Sequence, residues 1–147
     1  MTQNFTLKEF IRSTTARRYD IQNIPSESHI QNIRYGIEHI LQPLRDYVHV
    51  PIRITSGYRN TRVNDLVGGV ASSHHTTGEA ADFHISGYTI NQAIKIIIDM
   101  KLPYDQLINE YDSWVHLGWR QPHRYQGLYF YRDNGITKRR ELEYAEL

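Results

Sequence analysis

The residues best able to do chemistry in this chain lie in one short run and one distant answer to it. Ser73-His74-His75-Thr76-Thr77-Gly78-Glu79-Ala80-Ala81-Asp82 is followed, further along, by Trp114-Val115-His116. Two imidazoles and a carboxylate drawn from separate segments are the ligand set of a catalytic zinc ion that keeps one position open for water. The pattern therefore points to a metallohydrolase. The chain has no cysteine, so a thiolate metal site, a thiol nucleophile and a disulfide framework are all excluded. Any metal must be held by His, Asp or Glu.

Such ligands need elements to bring them together. A loop histidine seven residues before Asp82 can fold back onto a strand carrying that carboxylate if the chain turns sharply at Gly78. Ala80 and Ala81 leave room for the approach. His116 lies within a second apolar segment, and adjacent strands would set Asp82 and His116 on one face. Ala80 to Ile85, Leu107 to Tyr111 and Trp114 to Leu117 read as these strands, the last two joined by a tight turn at Asp112-Ser113.

Around this centre, Thr6 and Glu9 have capping-box spacing ahead of Leu7, Phe10 and Ile11, which mark a short helix. A loop runs through Pro25. Ser26 then caps a helix with Ile30, Ile33, Ile37, Ile40, Leu41 and Leu44 at helical spacing, which Pro43 is expected to kink or end early. Ile52 to Thr55 alternates like a strand, with Ser56-Gly57-Tyr58-Arg59 as its turn. Val63 to Val67 makes one or two helical turns stopped by Gly68-Gly69. Thr89 to Lys101 is a buried helix ended by Pro103. Leu128 to Arg132 and Ile136 to Lys138 flank Asn134-Gly135, the favoured pair for a tight hairpin. From residue 139 onward, Lys138-Arg139-Arg140 runs into Glu141, Glu143 and Glu146 and reads as a solvated, partly frayed tail. The expected class is α+β: a single domain over residues 1–147, with a largely antiparallel central sheet packed with N-terminal and crossing helices.

Composition narrows the partners. The 147 residues suit one domain, and 17 Lys plus Arg against 16 Asp plus Glu leave no basic tract, so nucleic acid is not an expected partner. No segment is apolar enough to span a membrane. The start of the chain lacks a basic, apolar signal sequence, so the expected location is the cytoplasm as synthesised, with action on its target after release.

Taken with Ser56-Gly57-Tyr58-Arg59 and Asn64, the pattern Ser73-x-His75-x-x-Gly78-x-Ala80-x-Asp82 followed by Trp114-Val115-His116 resembles the zinc D-Ala-D-Ala carboxypeptidase and L,D-endopeptidase family. Its members cut peptidoglycan stem peptides, many are phage endolysins, and they share a structural group with lysostaphin-type peptidases and the Hedgehog domain. The resemblance runs from Phe5 to Tyr131. It implies one Zn2+ per chain on His75, Asp82 and His116, and its register selects His75 over His74. Arg59 falls at the arginine that binds a substrate carbonyl or carboxylate, Ser73 at the serine beside the first ligand, and Tyr58 joins them as a substrate-binding residue. Glu110 falls at an acidic position in the strand ahead of Trp-Val-His and is assigned as general base. Other branches place that glutamate three residues before the last histidine, where this chain has Ser113; Asp112 is the competing base.

The chemistry asks for the same residue types. Neutral imidazoles and one carboxylate leave zinc a residual charge that polarises a carbonyl and acidifies water to a pKa of about 7. A carboxylate outside the ligand set can shuttle the proton, and a guanidinium can stabilise an oxyanion. His84 shares the strand parity of Asp82 and is either a neighbouring contact or an ordinary packed residue, and Glu79 supports the loop. Trp114, Trp119, Tyr58, Tyr111 and Tyr125 form either a rim to the cleft or part of the core. The expected function is a zinc metallopeptidase of the D,D-carboxypeptidase or L,D-endopeptidase type whose partner is the peptidoglycan stem peptide, related to phage lysis. A non-catalytic zinc-binding module of the same fold and a cytosolic dipeptidase are the alternatives. The bond cut and the oligomeric state are left open.

Overall fold

A computed structural model describes residues 1–147. Short helices α1 (Leu7–Ile11) and α2 (Thr14–Arg18) lead into α3 (Glu27–Gly36). The capping box holds at the start of α1, where Glu9 accepts from the Thr6 N–H at 3.1 Å. Helix α3 does not end at Pro43. A π turn at Ile37–Leu41 carries it into α4 (Gln42–Val48), and the Gln42 N–H bonds back to the Ile37 carbonyl. Pro43 has no N–H to give and would clash with the carbonyl four residues back. The widened turn just before it opens the ladder there, so the helix continues.

The remaining elements are β1 (Ile52–Ser56), α5 (Thr61–Leu66), a 3-10 turn at His74–Thr77, β2 (Ala80–Ile85), α6 (Ile90–Asp99), β3 (Gln106–Glu110), β4 (Trp114–Gly118), β5 (Gln126–Asp133), β6 (Ile136–Glu141) and a closing 3-10 turn at Tyr144–Glu146. The strands form one six-stranded sheet in the order β1-β2-β4-β3-β5-β6. All neighbours are antiparallel except β3 and β5. The fold is α+β. The segment expected to fray from residue 139 is instead the second half of β6, and beyond it Arg140 clasps Glu146 through two 2.7 Å hydrogen bonds.

Strand alternation divides the sheet into two faces. Ala81, Phe83 and Ile85 of β2, Val115 and Leu117 of β4 and Leu107 of β3 are buried in the core with Phe10, Ile33, Ile37, Leu41, Leu44, Ile94 and Ile97 of the helices. The alternate residues, Asp82, His116, Glu110 and Trp114, emerge on the other face and line a cleft. Trp119 is a core pillar whose indole N–H donates to the Asn32 carbonyl at 2.9 Å. It fits because position 36 is glycine: a Cβ there would stand 2.3 Å from its ring. No helix is long and apolar enough to cross a membrane.

Candidate metal centre and catalytic cleft

The β2–β4 register sets Asp82 directly opposite His116, and residues opposite each other across a ladder project from the same face. His75 arrives from the 3-10 turn, which reverses at Gly78 with φ 75°. A Cβ at Gly78 would meet the His29 carbonyl at 2.6 Å, so both backbone shape and space require glycine. The Arg59 N–H donates to the His75 carbonyl at 3.0 Å, tying this turn to the segment after β1. The donor atoms of His75, Asp82 and His116, all three residues buried, lie within 4.8 Å of one another.

The protons on these rings follow from their partners. His75 Nδ1 lies 2.6 Å from the Gly57 carbonyl, which can only accept, so Nδ1 carries the hydrogen and Nε2 presents its lone pair. That lone pair faces Asp82 Oδ1 at 3.2 Å, and His116 Nδ1 faces the same oxygen at 2.9 Å. A lone pair opposed to a carboxylate oxygen is repulsive unless a cation lies between them, so the donor set fits a divalent metal. Burial alone would push the Asp82 pKa up; positive charge lying between it and the two imidazoles, a proton on the rings in the metal-free chain or a cation in its place, outweighs burial and holds the carboxyl well below the ordinary range. Asp82 is an anion at any physiological pH.

Glu110 stands just outside this trio, with Oε1 3.8 Å from His116 Nδ1. Burial, reinforced by the Asp82 charge, pushes its pKa up to about 6 against the opposing pull of His116 and Arg59. Arg59 lines the same cleft. Its own pKa is lowered by burial, with Asp82 and Glu110 pulling the other way. One guanidinium nitrogen reaches Ser73 Oγ at 3.4 Å, while Nε is buried without a partner. Ser73 Oγ also accepts from the His75 N–H at 3.3 Å, so this serine braces both the first histidine and the arginine. The indole N–H of Trp114 is directed toward the Glu110 carboxyl but falls outside hydrogen-bond geometry.

Several expected residues lie elsewhere. Tyr58 does not reach the cleft: it is only 4% exposed, with its ring against His29 in the core. Its backbone N–H donates to the Phe10 carbonyl, and this short bond turns the side chain inward. Asp112 is turned away as well. It sits at positive φ in the β3–β4 turn and accepts from Asn109 Nδ2 at 2.9 Å and from the Tyr129 hydroxyl at 2.7 Å. With His84 and Ser113 it borders a separate groove of about 780 Å³ along Ser86 to Asn91. That groove is larger than the 570 Å³ metal-type cleft but has no comparable cluster of metal-type donors. His74 points off toward Asp105, Nε2 to Oδ2 3.8 Å, and burial with nearby Arg120 lowers its pKa to about 4. Of the five aromatic rim candidates only Trp114 lines the cleft; Trp119 and Tyr58 belong to the core, and Tyr111 packs edge-on against Trp114.

The cleft also recruits residues that sequence reasoning missed. Val67 and Val70, after α5, form an apolar lip, and Phe130 of β5 and Arg139 of β6 form part of the wall. Every residue of β6 is exposed, so the alternation that betrays a half-buried strand is missing there. Only the Asn-Gly hairpin signal, extended one residue further, could have placed Arg139 on a strand.

The family model for peptidase M15 matches residues 3–118. The chain belongs to the peptidase M15 family. No curated protein matches it. Peptidases of this family depend on zinc, and the His75, Asp82 and His116 group is able to bind a metal ion. The matched residues include the whole trio, Arg59 and Glu110 and stop before β5 and β6.

Proposed function

We propose that this M15 peptidase is a zinc metallopeptidase that hydrolyses a peptide bond of the peptidoglycan stem or cross-link, and that it serves phage lysis or wall remodelling. The observation that carries the reading is the position of Glu110, a partly protonatable carboxylate 3.8 Å from His116 and yet outside the His75–Asp82–His116 cluster. The wall substrate is supported by the resemblance carried in Ser73 to Asp82 and Trp114 to His116.

Zinc on His75 Nε2, Asp82 and His116 Nδ1 would supply Lewis acidity, polarising the scissile carbonyl and acidifying water. Glu110 takes a proton from the attacking water and returns it to the leaving amine. A carboxyl poised near 6 suits both halves of that task, since it accepts as an anion and donates without a large penalty. The Arg59 guanidinium neutralises charge that develops on the carbonyl oxygen or holds a nearby substrate carboxylate. The Gly57 carbonyl keeps His75 in the tautomer that offers Nε2. Val67, Val70, Trp114 and Phe130 supply apolar lining to the cleft.

Incubation of the zinc-loaded protein with purified muropeptides, read by mass spectrometry, tests this reading. Products differing by hydrolysis of one stem or cross-link bond are expected. Unchanged masses across several wall chemotypes would overturn the wall substrate and favour a non-catalytic module.

A further inference from the structure

The family match ends at Gly118, yet the sheet continues through β5 and β6. β5 adds to the free edge of β3 in parallel, with Phe130 opposite Glu110, and β6 then sets Arg139 opposite Phe130. Trp114, Glu110, Phe130 and Arg139 thus form one lateral row across four strands, and all four line the cleft. Successive strands are about 4.8 Å apart, so the backbone of Arg139 stands roughly 10 Å beyond that of Glu110, on the side away from the metal-type trio.

The charges of this wall are unevenly satisfied. Arg124 is engaged by Asp105 through Nε and Nη2 at 2.8 and 3.0 Å. On β6, Lys138 is paired with Asp133, and Arg140 is paired with Glu146 and lies over the Tyr129 ring. Arg139 lies between them, faces the opposite side by strand alternation, and its guanidinium forms neither an ion pair nor a hydrogen bond within the chain. A planar guanidinium with its donors free, set in a peptide-sized cleft, is suited to bidentate capture of a carboxylate.

We propose that Arg139 is a specificity-determining residue that binds a free carboxylate of the substrate, one to three residues from the scissile bond. The inference rests on the peptidase reading of the cleft. It gives the hairpin outside the family match a purpose: a second anion-binding position, two strands beyond the proposed base and distinct from Arg59. The carboxylate has two possible sources, the C-terminus of a stem peptide or the α-carboxyl of a γ-linked glutamate within it.

Binding separates this from the hydrolytic claim. Four synthetic peptides, L-Ala-γ-D-Glu-L-Lys-D-Ala-D-Ala with each of its two carboxyls as acid or amide, are titrated calorimetrically into zinc-loaded Glu110→Gln protein, with and without Arg139→Gln. One of the two carboxyls is expected to tighten binding roughly tenfold, the usual scale of a charge-assisted hydrogen bond. That gap should close in Arg139→Gln and largely persist in Arg139→Lys. The carboxyl whose amidation matters identifies the source. Equal affinity for all four peptides, or acid-over-amide preferences at both carboxyls that are unchanged by Arg139→Gln, would overturn the proposal. Because no cleavage is required, a failure of the peptidase reading shows separately, as intact peptides with the Glu110 protein.

Discussion

Glu110 is balanced between opposing influences, and that balance is measurable. Burial and the Asp82 charge raise its pKa to about 6 in the metal-free chain, so titration of its carboxyl carbon by NMR should show a midpoint near that value. A bound dication pulls the carboxyl lower. A base must be ionised to accept a proton, so kcat/KM should rise with pH through an acid limb at or below about 6; a limb above neutrality would contradict Glu110 as the base. Gly57 is the second residue with a sharp expectation. A Cβ there would meet Phe10 backbone atoms at 2.6 and 2.8 Å, with no flexible end to give way, and would displace the carbonyl that orients His75. Gly57→Ala should cost about 1–3 kcal/mol in denaturant unfolding and weaken zinc binding about tenfold or more in a chelator competition. The metal-type trio was legible in the sequence because ligand types, a turn-forming glycine and strand parity agree, and because the register of the family resemblance selects His75 over His74. Tyr58 was misplaced because the backbone bond to Phe10 that turns it inward joins segments far apart in the chain.

At the scale of elements, one buried amide adds a side-chain tie to the backbone hydrogen bonds that hold the cleft lip. Asn64, about 1% exposed, donates from Nδ2 to the Val70 carbonyl at 2.9 Å, and a Cβ on Gly69 would stand 2.1 Å from its Oδ1. Asn64→Ala should therefore loosen residues Val67 to Val70. The expected cost is about 1–3 kcal/mol of stability, with faster amide exchange confined to the lip and a higher KM with little change in kcat. Unchanged exchange would show that the lip is held otherwise. Strand β2 was readable because its small and apolar residues stand between a glycine turn and a capped helix. Helix α2 was not: in Thr14–Arg18 only Ala16 is buried, so no periodicity marks it. Pro43 distorts the helix without ending it because a π turn just upstream absorbs its missing donor, a compensation invisible to propensity. The first half of β6 was readable from its Asn-Gly hairpin turn, but its second half, from Arg139 to Glu141, read as a tail because every residue there is exposed.

Across the whole molecule, the sheet has one face buried under helices and one open, and the proposed ligands tie a loop and two adjacent strands together on the open face. Zinc that binds only the folded chain stabilises it by mass action, about 2.7 kcal/mol at a hundredfold excess over Kd. The melting temperature should rise by roughly 5–10 °C on loading and fall back with a chelator. Replacing His116 by Ala should abolish the rise, and a melting temperature indifferent to zinc would contradict a metal shared by these segments. The most direct test of the account is the hydrolysis rate of Glu110→Gln on a muropeptide that the wild-type protein cuts, in protein shown to carry one zinc per chain. The account predicts a loss of about 10²–10⁴-fold, the contribution of a positioned general base, with zinc content unchanged. A rate within a few-fold of wild type would contradict it.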